Sequence, residues 1–195
     1  MKLRALIVVT VALATLAASS VAMAGTRTSA RIYQAFTSSG APAISVTKTV
    51  KGHCFSGSSR ANRNDAWRCL SKNLLYDPCF SSSKAKGIVL CPAAAWRRSG
   101  VKIILTQGLP TKFGNKRAPS TNVRPWAMQT ISGIRCVREG MGPFIIPTVV
   151  GDYACTNGKW LWGQPNRKTQ PWTIYMASVT ATTLTTKARI RIAWF

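Results

Sequence analysis

The chain has 195 residues, 46% of them hydrophobic, with 27 Lys and Arg against four Asp and Glu and one His, a formal charge of +23. The length suits one domain with a buried core, and a single His with four acids leaves few catalytic constellations. The charge attracts polyanions through its long-range field without needing a pocket, so nucleic acid, anionic lipid or lipopolysaccharide, and acidic glycans head the list of partners.

Residues 1–24 read as a secretory signal peptide. Lys2 and Arg4 precede an apolar run that ends in Ala22-Met23-Ala24, the basic, apolar and small-residue order of a cleaved leader. The run is short for a membrane span, and no cysteine follows it that could carry a lipid. Cleavage near Ala24 leaves an exported chain, periplasmic or extracellular, with no integral membrane span. Losing Lys2 and Arg4 with the leader lowers the formal charge by two.

Residues 25–42, GTRTSARIYQAFTSSGAP, are small and polar and read as a loose N-terminal segment. A β-rich domain is expected over 43–195. Short runs rich in Val, Ile, Thr and aromatics predict strands at 44–50, 87–90, 101–105, 126–131, 172–180 and 188–194. Gly, Pro, Ser and Asn separate them. The stretch NRNDAWRCLSKNLL (62–75) predicts the one short helix, because Trp67, Leu70 and Leu74 have helical spacing and Asn64 can cap it. Residues 106–124 form a basic loop.

The sequence also reads as a duplication, with pseudo-repeats at about 43–105 and 125–195. Cys69 aligns with Cys155, each two residues after an aromatic (Trp67, Tyr153) and shortly after an acid (Asp65, Asp152). Leu74-Leu75-Tyr76 matches Trp160-Leu161-Trp162, and ISVTKTVKGHC matches WAMQTISGIRC. All six cysteines follow the leader, and an even count in an exported chain implies full pairing. The second repeat offers only Cys136 and Cys155 to each other. Its equivalents, Cys54 and Cys69, then pair likewise, which leaves Cys79 with Cys91. The expected fold is mainly β: a single disulfide-stapled domain of two similar halves with one short helix at most.

The stretch from Gly52 to Phe80 holds three cysteines, the only histidine and two acids, so it is where chemistry would sit. A zinc site is disfavoured, since there is no C-x-x-C and no second histidine. No metal or cofactor is expected. A hydrolase, most plausibly a basic nuclease, would need His53 with Asp65 or Glu139 as acid and base, and Arg60 and Arg63 to hold phosphate. No spacing brings these groups together. A triad through Ser56 fares no better, lacking G-x-S-x-G. Trp67, Trp162, Trp172 and Trp194 are expected in the core. Arg60, Arg63, Arg97, Arg98, Lys112, Lys116, Arg117 and Arg124 are the candidate polyanion-binding residues.

The strings HCFSGSSRANRNDAWRCL, NLLYDPCF, LCP, RPWAM, SGIRC, YACTNG, LWGQP, PWTI and the terminal IAWF give a resemblance from about residue 50 onward. It resembles a bacterial exported and lipoprotein domain family of actinobacterial type, marked by a cysteine–aromatic–DPCF string. That resemblance implies an exported, disulfide-bonded envelope domain and carries over no catalytic residue. Phe55 stands where the family pattern has tryptophan, and the strong basicity is particular to this chain. The leading expectation is a non-catalytic exported protein that engages polyanionic surfaces. The alternatives are a secreted hydrolase and a protein-partner or inhibitor module.

Overall fold

The computed structural model describes residues 27–111, 118–139, 145–146 and 149–195. Among these the chain is all β: β1 (Ser29–Arg31), β2 (Ser45–Gly57), β3 (Ala66–Ser71), β4 (Leu74–Ser82), β5 (Ala85–Pro92), β6 (Ser99–Leu105), β7 (Ala127–Thr130), β8 (Arg135–Arg138), β9 (Ile145–Ile146), β10 (Val149–Cys155), β11 (Trp160–Asn166), β12 (Thr173–Ala177) and β13 (Lys187–Trp194). The leader, with residues 25 and 26, lies outside the described residues, as do Lys112, Lys116 and Arg117 of the basic loop.

The strands close into two barrels. β2 to β6 run as an antiparallel meander, and parallel pairing of β2 with β6 closes it. In the second barrel, β7, β8, β10, β11, β12 and β13 follow one another, and β13 returns to β7. β1 adds in parallel beside the end of β13, with Arg31 opposite Trp194. Closure removes most open edges, which otherwise invite pairing with other chains.

Alternation along each strand sorts side chains into three cores. The first barrel is filled by sulfur and aliphatics: Cys54, Cys69, Cys79, Cys91, Val89 and Ile103. The second encloses Met128, Tyr153, Leu161, Ile174, Ile190 and Phe195 among others. A third core lies between the barrels, where Phe80 and Leu90 of the first meet Trp126 and Trp194 of the second. Burial of such side chains contributes roughly 1.5–3 kcal/mol each, so the barrels are welded rather than merely tethered.

The N-terminal segment sits in that weld, which corrects the expectation of a loose segment over 25–42. Tyr33, Ala35 and Phe36 are buried in the interbarrel core. The Tyr33 ring packs 5.2 Å from Phe80 and 5.3 Å from Trp126, the latter edge-on. A polar, small-residue segment is ordered here because three apolar side chains, rather than its average composition, decide where it packs.

The disulfides are Cys54–Cys69, Cys79–Cys91 and Cys136–Cys155, the expected pairing. Cys54 stands directly opposite Cys69 across β2 and β3, and Cys136 opposite Cys155 across β8 and β10. Each of these two bridges thus joins directly opposed residues of paired strands, one in each barrel. The chain before each bridge differs: β2 runs on for 13 residues, whereas the stretch before Cys136 breaks into a hairpin at Thr130–Gly133 between β7 and β8. There Gly133 takes φ 85°, and the Thr130 hydroxyl accepts from Ile134 N–H.

The predicted helix over 62–75 is absent and is corrected to parts of β3 and β4. Trp67 and Cys69 turn toward the first barrel's interior while Leu74 is 58% exposed. The helical spacing of Trp67, Leu70 and Leu74 therefore marks no buried stripe. Pairing on both sides of β3 and the Cys54–Cys69 bridge override local propensity. Lys72 at φ 54° makes the tight turn into β4.

Candidate functional site

The fate of the four carboxylates organises the surface. Each is bound to an arginine: Asp65 to Arg63 and Glu139 to Arg60 at 2.6 Å, Asp152 to Arg124 at 2.6 Å, and Asp77 to Arg68 at 3.5 Å. The last interaction is coulombic, since Arg68 Nε makes no hydrogen bond. Asp77 instead accepts from Ser58 Oγ, and from Ser59 N–H and Oγ at 3.1 and 2.6 Å. A short loop after β2 is thereby folded onto the β4 bulge.

These pairs also answer where the acid–base candidates lie. His53 projects from β2 opposite Leu70 of β3, and no hydrogen bond or ion pair joins it to Asp65 or Glu139. On the β3 side, Leu70 pairs in turn with the exposed Leu75 of β4. Ser56 hydrogen-bonds the Gly57 carbonyl. Among the described residues, no group of His, Cys, Asp and Glu is placed to hold a metal ion, and all six sulfurs are in bridges.

The expected basic residues divide. Arg63 is only 3% exposed, which corrects its assignment to a binding surface. Its Nη1 donates to the Tyr33 carbonyl at 2.6 Å and to the Phe195 carbonyl at 2.9 Å, and its guanidinium lies over Phe80 at 4.7 Å. Arg60 and Arg124 are half-buried in ion pairs. Arg97 and Arg98 are exposed, on the turn that tucks Trp96 against Trp194.

A basic stripe escapes the sequence reading. Lys187, Arg189 and Arg191 on β13 are all exposed, while Ala188, Ile190 and Ile192 between them turn inward or pack. Across β12, Lys187 stands opposite Tyr175 and Arg189 opposite Thr173, while Arg191 falls at the bulge between Ile190 and Ile192 in the pairing with β7; no carboxylate is among these partners. KARIRIAW carries the signal, since cations at every second place of a strand share one face.

A polar groove of about 560 Å³ opens between the barrels. Ser58, Asn62, Asn122, Arg124, Arg138 and Gln164 line it. Arg138 Nη1 donates to the Arg60 carbonyl at 3.3 Å, and its buried Nε has no partner among the described residues. Burial, followed by the like charge of Arg124, holds the Arg138 guanidinium below the usual arginine range, against the attraction of Asp152 and Asp77. Burial raises the Asp152 carboxyl above its usual range, with Arg124 and Arg138 opposing.

No family model, curated protein or solved structure matches this chain. The fold itself defines the class: over the described residues, a disulfide-bonded, all-β protein of two fused barrels.

Proposed function

We propose that this is an exported, non-catalytic protein that binds polyanions through its exposed lysines and arginines. One observation carries the reading: each of the four carboxylates already has an arginine partner, so the remaining cations have no protein counter-charge. Lys187, Arg189, Arg191, Arg97 and Arg98 stand exposed without an acid beside them. Such a surface gains free energy by releasing counterions from a polyanion.

Export is part of the proposal. Three disulfides persist in oxidising compartments, and the leader-like N-terminus supplies the route. No helix of the described residues is long and apolar enough to cross a membrane. The cysteine–aromatic–DPCF string that resembles an exported envelope domain points the same way.

The test is retention on heparin and on duplex DNA as salt rises. Affinity for DNA is expected to fall by several orders of magnitude between about 50 and 200 mM salt, as for proteins that bind several phosphates. Affinity unchanged across that range overturns the reading.

A further inference from the structure

The polar groove differs from the exposed cations of β13 and of the Arg97–Arg98 turn. In the groove, Arg138 is half-buried, belongs to none of the four ion pairs and sits close enough to Arg124 for their charges to oppose each other. The charged and titratable groups around it are Arg124, Asp152, Tyr153 and Asp77. Asp152 is committed to Arg124 and Asp77 to the Ser58–Ser59 loop, and the Tyr153 hydroxyl donates a hydrogen bond to the Pro125 carbonyl. The Arg138 guanidinium is thus left without an ion pair of its own, with one hydrogen bond to the Arg60 carbonyl.

The rest of the wall tells which anion. Asn62, Asn122 and Gln164 are exposed and make no side-chain hydrogen bond across the groove to another described residue, so their amides are available as donors and acceptors. Such groups suit the hydroxyls of a sugar ring. Among the described residues, Val123 is the one apolar side chain of the lining, and no aromatic ring offers a base a stacking surface, as single-stranded nucleic acid requires. The volume of about 560 Å³ falls within the range of small-ligand sites.

We propose that the interbarrel groove binds one anionic sugar unit of an acidic glycan, with Arg138 taking the sulfate or carboxylate and Asn62, Asn122 and Gln164 the ring hydroxyls. This rests on the polyanion reading and adds a specific anchor to it. The stripe on β13 then supplies attraction along the polymer, and the groove supplies register.

The experiment is calorimetric titration of the mature chain with a sulfated uronate-containing disaccharide at low salt. Its uncharged counterpart, inorganic sulfate and a dinucleotide form the other arms. The charged disaccharide is expected to bind one per chain. Arg138→Gln weakens it by about tenfold or more, the weight of one charge-assisted hydrogen bond. The exposed pair Asn122→Ala with Gln164→Ala weakens it several-fold, and Arg97→Gln with Arg98→Gln leaves it within about twofold. If Arg138→Gln fails to fold by thermal unfolding, the Asn122 and Gln164 pair decides alone. Equal loss from the Arg97 and Arg98 pair overturns the groove, as does equal binding of inorganic sulfate or of the dinucleotide. Absent disaccharide binding with heparin polymer still retained ends the groove and leaves the wider reading standing. Absence of both ends both.

Discussion

Arg63 and Phe195 lie 132 positions apart, yet the arginine's Nη1 donates to the Phe195 carbonyl at 2.9 Å. The same nitrogen reaches the Tyr33 carbonyl, and Nε and Nη2 hold Asp65 in a fork. One guanidinium therefore joins the N-terminal segment, the last residue and the first barrel. An arginine does this where a lysine cannot, because its donors diverge in a fixed plane.

Arg63→Ala is expected to destabilise the fold by about 3 kcal/mol or more, since the main-chain oxygens of Tyr33 and Phe195 and the Asp65 carboxylate lose their donor. Arg63→Lys recovers only part of that. Urea unfolding followed by tryptophan fluorescence measures both. A loss under about 1 kcal/mol for Arg63→Ala would show that water replaces the guanidinium at little cost.

Replacing the β13 stripe gives the opposite profile. Lys187→Gln, Arg189→Gln and Arg191→Gln together should shift stability by under about 0.5 kcal/mol, because all three side chains are exposed. The slope of log affinity for DNA against log salt should fall by roughly 2–3, close to one unit for each phosphate left without its cation. An unchanged slope places the DNA-binding surface elsewhere.

The Tyr33 hydroxyl is buried without a hydrogen-bond partner among the described residues, and burial, opposed by the charge of Arg63, pushes its pKa up to about 12. An acid whose folded pKa is raised keeps its proton longer when folded than when unfolded. Stability from this group is present below the unfolded value near 10 and is lost as pH rises from there toward 12. Tyr33→Phe should leave stability at pH 7 unchanged or improved by up to about 1 kcal/mol, since an unsatisfied polar group is removed. It should also flatten the fall above pH 10. Urea midpoints at neutral and alkaline pH test both, and a Tyr33→Phe loss above about 1 kcal/mol at neutral pH would reveal a partner for the hydroxyl.

The first barrel depends on its sulfurs for volume as well as for cross-linking, because four of its buried interior residues are cysteines. Replacing Cys54 and Cys69 together with Ala should cost about 3 kcal/mol from loop entropy, with a packing loss in addition. Replacing Cys136 and Cys155, whose barrel holds more aromatic and aliphatic residues, should cost less. Thermal melts of the two double variants give the order, and the reverse order refutes the argument.

Much of the architecture is written locally. The strand runs at 44–50, 87–90, 101–105, 126–131, 172–180 and 188–194 each overlap an observed strand, because β-branched and aromatic residues between turn formers have few other options. The cysteine pairing agrees with the one read from the sequence likeness between the Cys54–Cys69 and Cys136–Cys155 stretches. β3 is not legible in the same way, since period-3 apolar spacing over one short stretch cannot show which face is buried. The stripe on β13 is missed in the sequence, although KARIR carries a charge at every second place, because alternation alone does not show which face is solvated.

The sequence by itself determined a mainly β, cross-linked and strongly basic chain, because composition, cysteine parity and alternation act locally and need no partner in space; the absence of the helix expected over 62–75 was decided by strand pairing. Which arginines are structural and which face solvent was decided only in three dimensions. Arg63 and Arg98 look alike in a sequence, and a charge is retained in the interior only where distant carbonyls and a carboxylate converge to replace its water. That convergence depends on Tyr33, Asp65 and Phe195 meeting at one point, a consequence of how the two barrels close and pack.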